Sequence, residues 1–246
     1  MKKIRINKYI ALSGICSRRK ADNLIKLGLI SINDNIIYEL GKKIILNKDI
    51  IKYDNKIIKI LRFLYIIINK PKNCIITLKD NKNKKNRLTI FNFIPNKFKK
   101  YRIFPVGRLD QNTTGILLLT NDGFLCNKLL HPKYKIKKDY KIILNKKIKK
   151  NIIFKLNKGL IFKEGKIKIT KIKIKKNNKN ILIISIHIGW NKIIHRIFNK
   201  LGYKILYLQR INFGGIKIYK DIKKEGQYKI LSKKKLYNIL NIIKKK

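Results

Sequence analysis

The chain has 246 residues, 45% of them apolar, enough for a domain of ordinary size with a small one appended. Its 63 Lys+Arg against 12 Asp+Glu give a formal charge of +51, far more than solubility requires and suited to counterion-releasing contact with a polyphosphate. Cys16, Cys74 and Cys126 are isolated from one another and from any His at a zinc interval, and apolar runs such as 57–68 are broken by Lys59 and Arg62, so structural zinc, a membrane span and a signal peptide are all unexpected.

A reducing cytoplasm and a monomeric state are expected, the latter because so large a charge opposes self-association. Part of that charge reflects a chain crowded with Lys, Ile and Asn, so its sign supports nucleic acid without choosing RNA or DNA. Only nine of the basic residues are Arg, which makes Arg18, Arg19, Arg108, Arg196 and Arg210 candidates for planar, bidentate recognition.

In chain order, residues 4–13 put Ile6, Tyr9 and Ile10 on one helical face, and Gly14 stops the helix. Ser17 can cap a second helix with the apolar face Ala21, Leu24 and Ile25, ending at Gly28. Residues 29–33 and 36–38 read as a hairpin around Asn33-Asp34-Asn35. Arg18, Arg19 and Lys20 crowd the first turn of the second helix, where positive charge opposes the helix dipole. A phosphate received there would compensate; a solvated basic face is the alternative.

The string Arg5-Ile-Asn-Lys-Tyr-Ile-Ala-Leu-Ser-Gly-Ile-Cys-Ser-Arg-Arg-Lys-Ala, followed by Gly28-Leu-Ile-Ser-Ile-Asn, resembles an S4 RNA-binding domain. The resemblance implies structured RNA as partner, with Arg5, Lys8, Ser17, Arg18, Arg19 and Lys20 as the contact residues. It places that domain at residues 1–60.

Beyond residue 60 the pattern turns to many short strands, at 64–69, 116–120, 140–144, 166–174 and 181–188. Helices are fewer, at 124–130, 192–201 and from Ser232 onward, the last with Leu236, Ile239, Leu240 and Ile243 on its apolar face. This is an α+β pattern on a mixed or antiparallel sheet, divided here into a domain over 61–231 and a basic helix over 232–246. Residues 79–87, rich in Lys and Asn, read as a surface loop.

Most of the twelve carboxylates lie in turns or beside lysines, where solvation explains them. Asp110 follows Phe104-Pro-Val-Gly-Arg-Leu and precedes a polar turn that feeds Ile116-Leu-Leu-Leu-Thr, so it sits in a loop held at both ends by rigid elements. Arg108 is near enough in sequence to favour its ionised form. Taken alone, an Asp opening a turn is an ordinary hydrogen-bonding residue.

The whole string Pro105-Val-Gly-Arg-Leu-Asp-Gln-Asn-Thr-Thr-Gly-Ile-Leu-Leu-Leu-Thr-Asn-Asp-Gly123 closely resembles the catalytic signature of the RsuA/RluB branch of rRNA pseudouridine synthases. Asn69-Lys-Pro71, Leu129-Leu-His-Pro-Lys-Tyr134 and Lys138-Asp-Tyr140 follow the same order. Thr120-Asn-Asp-Gly and Leu-Leu-His-Pro read more like the large-subunit enzymes. The resemblance implies conversion of one uridine of rRNA, free or in a pre-ribosomal particle, to pseudouridine without a cofactor. It makes Asp110 the catalytic carboxylate and Tyr140 the aromatic surface for the flipped base, with Arg108 shaping the loop.

The third motif departs from its relatives. Where Gly-Arg-Asn-Arg-Gln-Val-Arg-Arg-Met-Phe is usual, this chain has Gly189-Trp-Asn-Lys-Ile-Ile-His-Arg-Ile-Phe198. Ile194 and Arg196 keep the motif's character as substrate-binding positions. His195 stands where the arginine pairing with the catalytic aspartate is expected. Arg196 or Arg108 could take over that pairing, although Arg196 points about 100° away on a helix. The rival expectation is an RNA-binding or ribosome-assembly protein weakened or silent in catalysis.

Overall fold

The computed structural model describes residues 3–77, 88–219 and 222–240, which fall into two compact units, 1–64 with 95–103 and 65–94 with 104–246. The expected loop at 79–87 and the end of the tail helix lie outside the described residues.

The first unit contains β1 (Lys3–Arg5), α1 (Ile6–Leu12), α2 (Arg18–Lys26), β2 (Ile30–Ile32), β3 (Asn35–Ile36), β4 (Lys43–Ile45), β5 (Ile51–Tyr53) and β6 (Lys56–Ile57). The Ser17 hydroxyl caps α2 by accepting from the Lys20 amide at 3.2 Å. The β2–β3 hairpin turns at Asn33 and Asp34, with φ of 49° and 70°, the left-handed pair that short hairpins favour. Ile4 and Arg5, expected inside the first helix, instead pair with β4 together with Lys3. Ile6, Ile10, Ala21, Ile25, Ile30, Ile44 and Ile51 form the core.

The second unit contains β7 (Tyr65–Lys70), β8 (Phe104–Pro105), β9 (Thr114–Thr120), α3 (Gly123–Leu130), β10 (Lys138–Leu144), α4 (Lys150–Lys158), β11 (Leu160–Phe162), β12 (Gly165–Ile167), β13 (Lys171–Lys175), β14 (Asn178–Ile186), α5 (Ile193–Lys200), β15 (Ile205–Phe213), β16 (Ile216–Lys217), β17 (Tyr228–Ile230) and α6 (Lys233–Leu240). The main sheet runs β13-β14-β10-β15-β9-β7-β17; β15 and β9 are parallel and the other neighbours along it antiparallel. The fold is therefore mixed α+β. β7 and β9 are buried at every residue, which explains their unbroken apolar runs.

Two features differ from expectation. The strand expected over 166–174 is two strands, because β12 folds back on β11 as a hairpin and only β13 joins the sheet edge. The tail helix packs into the second unit, where Leu236 and Leu240 share a core with Leu125, Leu129 and Phe213. Among the described residues no helix is long and apolar enough to cross a membrane.

Candidate active site

One row of residues crosses the middle of the sheet. Lys70 is in register with Gly115, Gly115 with Arg210, and Arg210 with Tyr140. Gly115 permits this: its φ is +104°, and a Cβ there would lie 2.2 Å from the Arg210 carbonyl oxygen.

The loop carrying Asp110 arrives at this row. Val106 is fully buried and its amide donates to the Leu118 carbonyl at 2.8 Å, Leu109 packs in a core with Tyr140 and Ile194, and Thr113 donates its amide to the Asp110 carbonyl at 3.1 Å. Anchors on both sides leave Asp110 half-buried at the loop's turning point. Among the described residues no hydrogen bond or ion pair holds its carboxylate.

Two titratable basic side chains feel that carboxylate. Burial lowers the affinity of Lys70 for its proton, and Cys74, Glu225 and Asp110 raise it. The Lys70 ammonium donates to the carbonyls of Pro71, Gln111 and Thr113, each at 2.9 Å. His195, on α5, is held below the usual histidine value by burial; Asp110 pulls it upward and Lys192 pushes it down.

Tyr140 is buried in the core that includes Ile194, and its hydroxyl engages the Arg210 guanidinium. Arg210 also donates from Nε to the Ile116 carbonyl at 2.8 Å and lies over the Phe213 ring at 4.7 Å. Leu109, Tyr140 and Ile194 thus share one core and His195 lies within the field of Asp110, whereas neither Arg108 nor Arg196 takes over the pairing with Asp110. Arg108 is exposed, because burial of Leu109 turns its neighbour outward, and no ion pair joins it to Asp110. Arg196 forms a bidentate pair with Glu164 of the β11–β12 turn, at 2.6 and 2.7 Å, and lies 5.0 Å over the Phe162 ring. It points toward the hairpin, as the helical angle between adjacent residues requires.

In the first unit, Lys3, Ile4, Arg5, Lys8, Arg18 and Lys43 line a pocket of about 260 Å³. Arg18 is steadied by the Asn7 Oδ1 atom, 3.3 Å from both Nε and Nη2. Arg19 and Lys20 are exposed and do not line this pocket, and the Ser17 hydroxyl is occupied as the helix cap.

Sequence reasoning missed Lys70, Glu164, Lys3 and Lys43. For Lys70 a signal existed: a lysine ending the strand Tyr65-Ile-Ile-Ile-Asn-Lys70, whose apolar run marks it for burial, has to bring its charge to rest on polar partners such as backbone carbonyls.

The fold matches that of a solved pseudouridylate synthase, with a TM-score of 0.66 and 24% identity over 96% of this chain and 99% of that one. The pattern of the family described as RNA pseudouridylate synthase matches residues 64–200. The chain belongs to the RNA pseudouridine synthase family. It is 38% identical to an uncharacterized RNA pseudouridine synthase of Aquifex aeolicus over 222 residues, 89% of this chain and 88% of that protein. It is 37% identical to ribosomal large subunit pseudouridine synthase B of Bacillus subtilis over 210 residues, 84% of each.

Proposed function

We propose that this enzyme isomerises one uridine of large-subunit ribosomal RNA, with Asp110 as the reacting carboxylate and the flipped uracil resting on Tyr140. The observation that carries this is the loop of Asp110 closed over Lys70, whose row in the sheet runs through Gly115 and Arg210 to Tyr140. During the reaction the bond from ribose C1′ to uracil N1 breaks, the base rotates, and a bond from C1′ to C5 forms. The C5 hydrogen leaves as a proton and N1 gains one, so the change is redox neutral and consumes no co-reactant. Asp110 attacks or deprotonates the nucleoside; Ile194 and Tyr140 give the base an apolar seat.

Residues 1–60 act as an S4-like module that docks structured rRNA, free or in an assembling particle. The pocket of Arg5, Lys8 and Arg18, widened by Lys3 and Lys43, is a place for a backbone phosphate. The protein works as a cytoplasmic monomer.

Mapping rRNA from cells with and without the gene, using a pseudouridine-specific reagent, tests the assignment. One large-subunit site should vanish with the gene; an unchanged map rejects the assignment.

A further inference from the structure

Lys138 precedes Tyr140 by two residues on β10, so strand alternation puts both side chains on the same face, roughly 6.6 Å apart along the strand. Its Nζ donates a 2.9 Å hydrogen bond to the His187 carbonyl, just beyond β14 in the segment leading to α5. An ammonium has three donors, and this contact uses one. Gly189 places no side chain beside it: a Cβ there would come to 3.6 Å from Nζ.

Arg210 reaches the same region from the neighbouring strand. It is 3% exposed, and its Nη2 has no hydrogen-bond acceptor among the described residues. Burial, and then the charge of Arg210, push the Lys138 ammonium down to about 8. No described carboxylate forms an ion pair with either cation. Asp139, adjacent in sequence, lies on the opposite face, where Ser185 Oγ at 2.6 Å, Asn212 Nδ2 at 2.9 Å and Lys137 at 3.6 Å engage it. Two neighbouring, poorly solvated cations without a counter-charge are unfavourable until an anion arrives.

We propose that Lys138 binds a phosphate flanking the nucleotide whose base rests on Tyr140, with Arg210 as a fixed positive charge behind it. The spacing from Tyr140 is on the scale of that between a base and the phosphate of its own nucleotide. The proposal rests on the reading of Tyr140 as the seat of the base. It makes Lys138 a substrate-binding residue that distinguishes a nucleotide from a nucleoside.

Calorimetry with uridine, uridine 5′-monophosphate and uridine 3′-monophosphate, on the full chain and on Lys138→Gln and Lys138→Arg, tests it. One of the two nucleotides should bind wild type about tenfold tighter than uridine, a preference kept by Lys138→Arg and lost in Lys138→Gln. A second measurement needs no variant: NMR titration of the Lys138 side chain should show its pKa rising with that nucleotide and not with uridine. Equal binding of nucleotides and nucleoside by wild type, an undiminished preference in Lys138→Gln, or a Lys138 titration indifferent to phosphate would each overturn the proposal. None of these readouts needs turnover. An unchanged rRNA map therefore removes the rRNA assignment and leaves this result standing, while active Lys138→Gln with an intact nucleotide preference removes the phosphate subsite alone.

Discussion

The buried ammonium of Lys70 donates a 2.9 Å hydrogen bond to the carbonyl of Gln111, the residue that follows Asp110. With Pro71 and Thr113 the acceptors number three, one for each ammonium donor, so the lysine acts as the internal post around which the Asp110 loop closes. Lys70→Met should strand these carbonyls and destabilise the fold by about 2–4 kcal/mol, partly offset by removal of a buried charge. Lys70→Arg should fail to rescue turnover, since a planar fork cannot meet three carbonyls converging on one nitrogen. Urea unfolding and tritium release from uracil C5 are the measurements; a Lys70→Met protein of wild-type stability and rate would refute this account.

The Asp110 carboxylate has no hydrogen bond or ion pair among the described residues, so Asp110→Asn removes the oxygen proposed to react without removing structural support. Tritium release should disappear, while RNA affinity stays within about twofold and the unfolding midpoint holds, because shape and volume change little. Residual release above background would move the chemistry to another group.

Glu164 and Arg196 tie the β11–β12 turn to α5, the helix that carries Ile194 and His195. Lys200 adds a second tie, donating to the Ile161 carbonyl at 3.0 Å. Hydrogen bonding from Arg196 takes the Glu164 carboxyl down to about 2. With a native value below the unfolded one, the pair supports the hairpin above the ordinary carboxylate range and loses that support as pH falls toward 2. Both groups are solvated, so the expected readout is kinetic. Glu164→Arg should lower kcat several-fold, more so in low salt, and Glu164→Arg with Arg196→Glu should recover most of it. A double variant as slow as the single one would show that the pair does not position α5.

Much of this was legible beforehand. The apolar runs of β7 and β9 announced themselves because these central strands bury both faces, and Ser17 was readable because its cap is made within three residues. The family was legible through the long motifs that carry Asp110 and Tyr140. Long-range pairings were hidden. The strand character of residues 3–5 depends on β4, forty residues on, and the partner of Arg196 sits on a hairpin whose Glu164 looked like any other exposed acid. Arg108 was expected near Asp110 on sequence distance alone, but burial of Leu109 between them decides which way it turns. Arg210 stood out only as one Arg among many Lys; its depth comes from the approach of two backbones at Gly115.

His195 brings the last expectation. Burial dominates over the attraction of Asp110, so its pKa in the native state lies below the unfolded value near 6.5. The native state therefore binds fewer protons than the unfolded chain around that pH. Its contribution to stability is full above pH 6.5 and is lost as pH falls through the native value. His195→Gln should flatten this acid limb in unfolding curves recorded from pH 7.5 to 5. At neutral pH the imidazole leaves Asp110 without a fixed cation on this side, whereas a guanidinium would stay charged. His195→Arg should then raise kcat several-fold at pH 7.5 with little change in KM, since the added charge acts on the carboxylate rather than on RNA binding at large. A drop in kcat would mean that this site is built around a neutral imidazole and that the arginine of its relatives does not fit here.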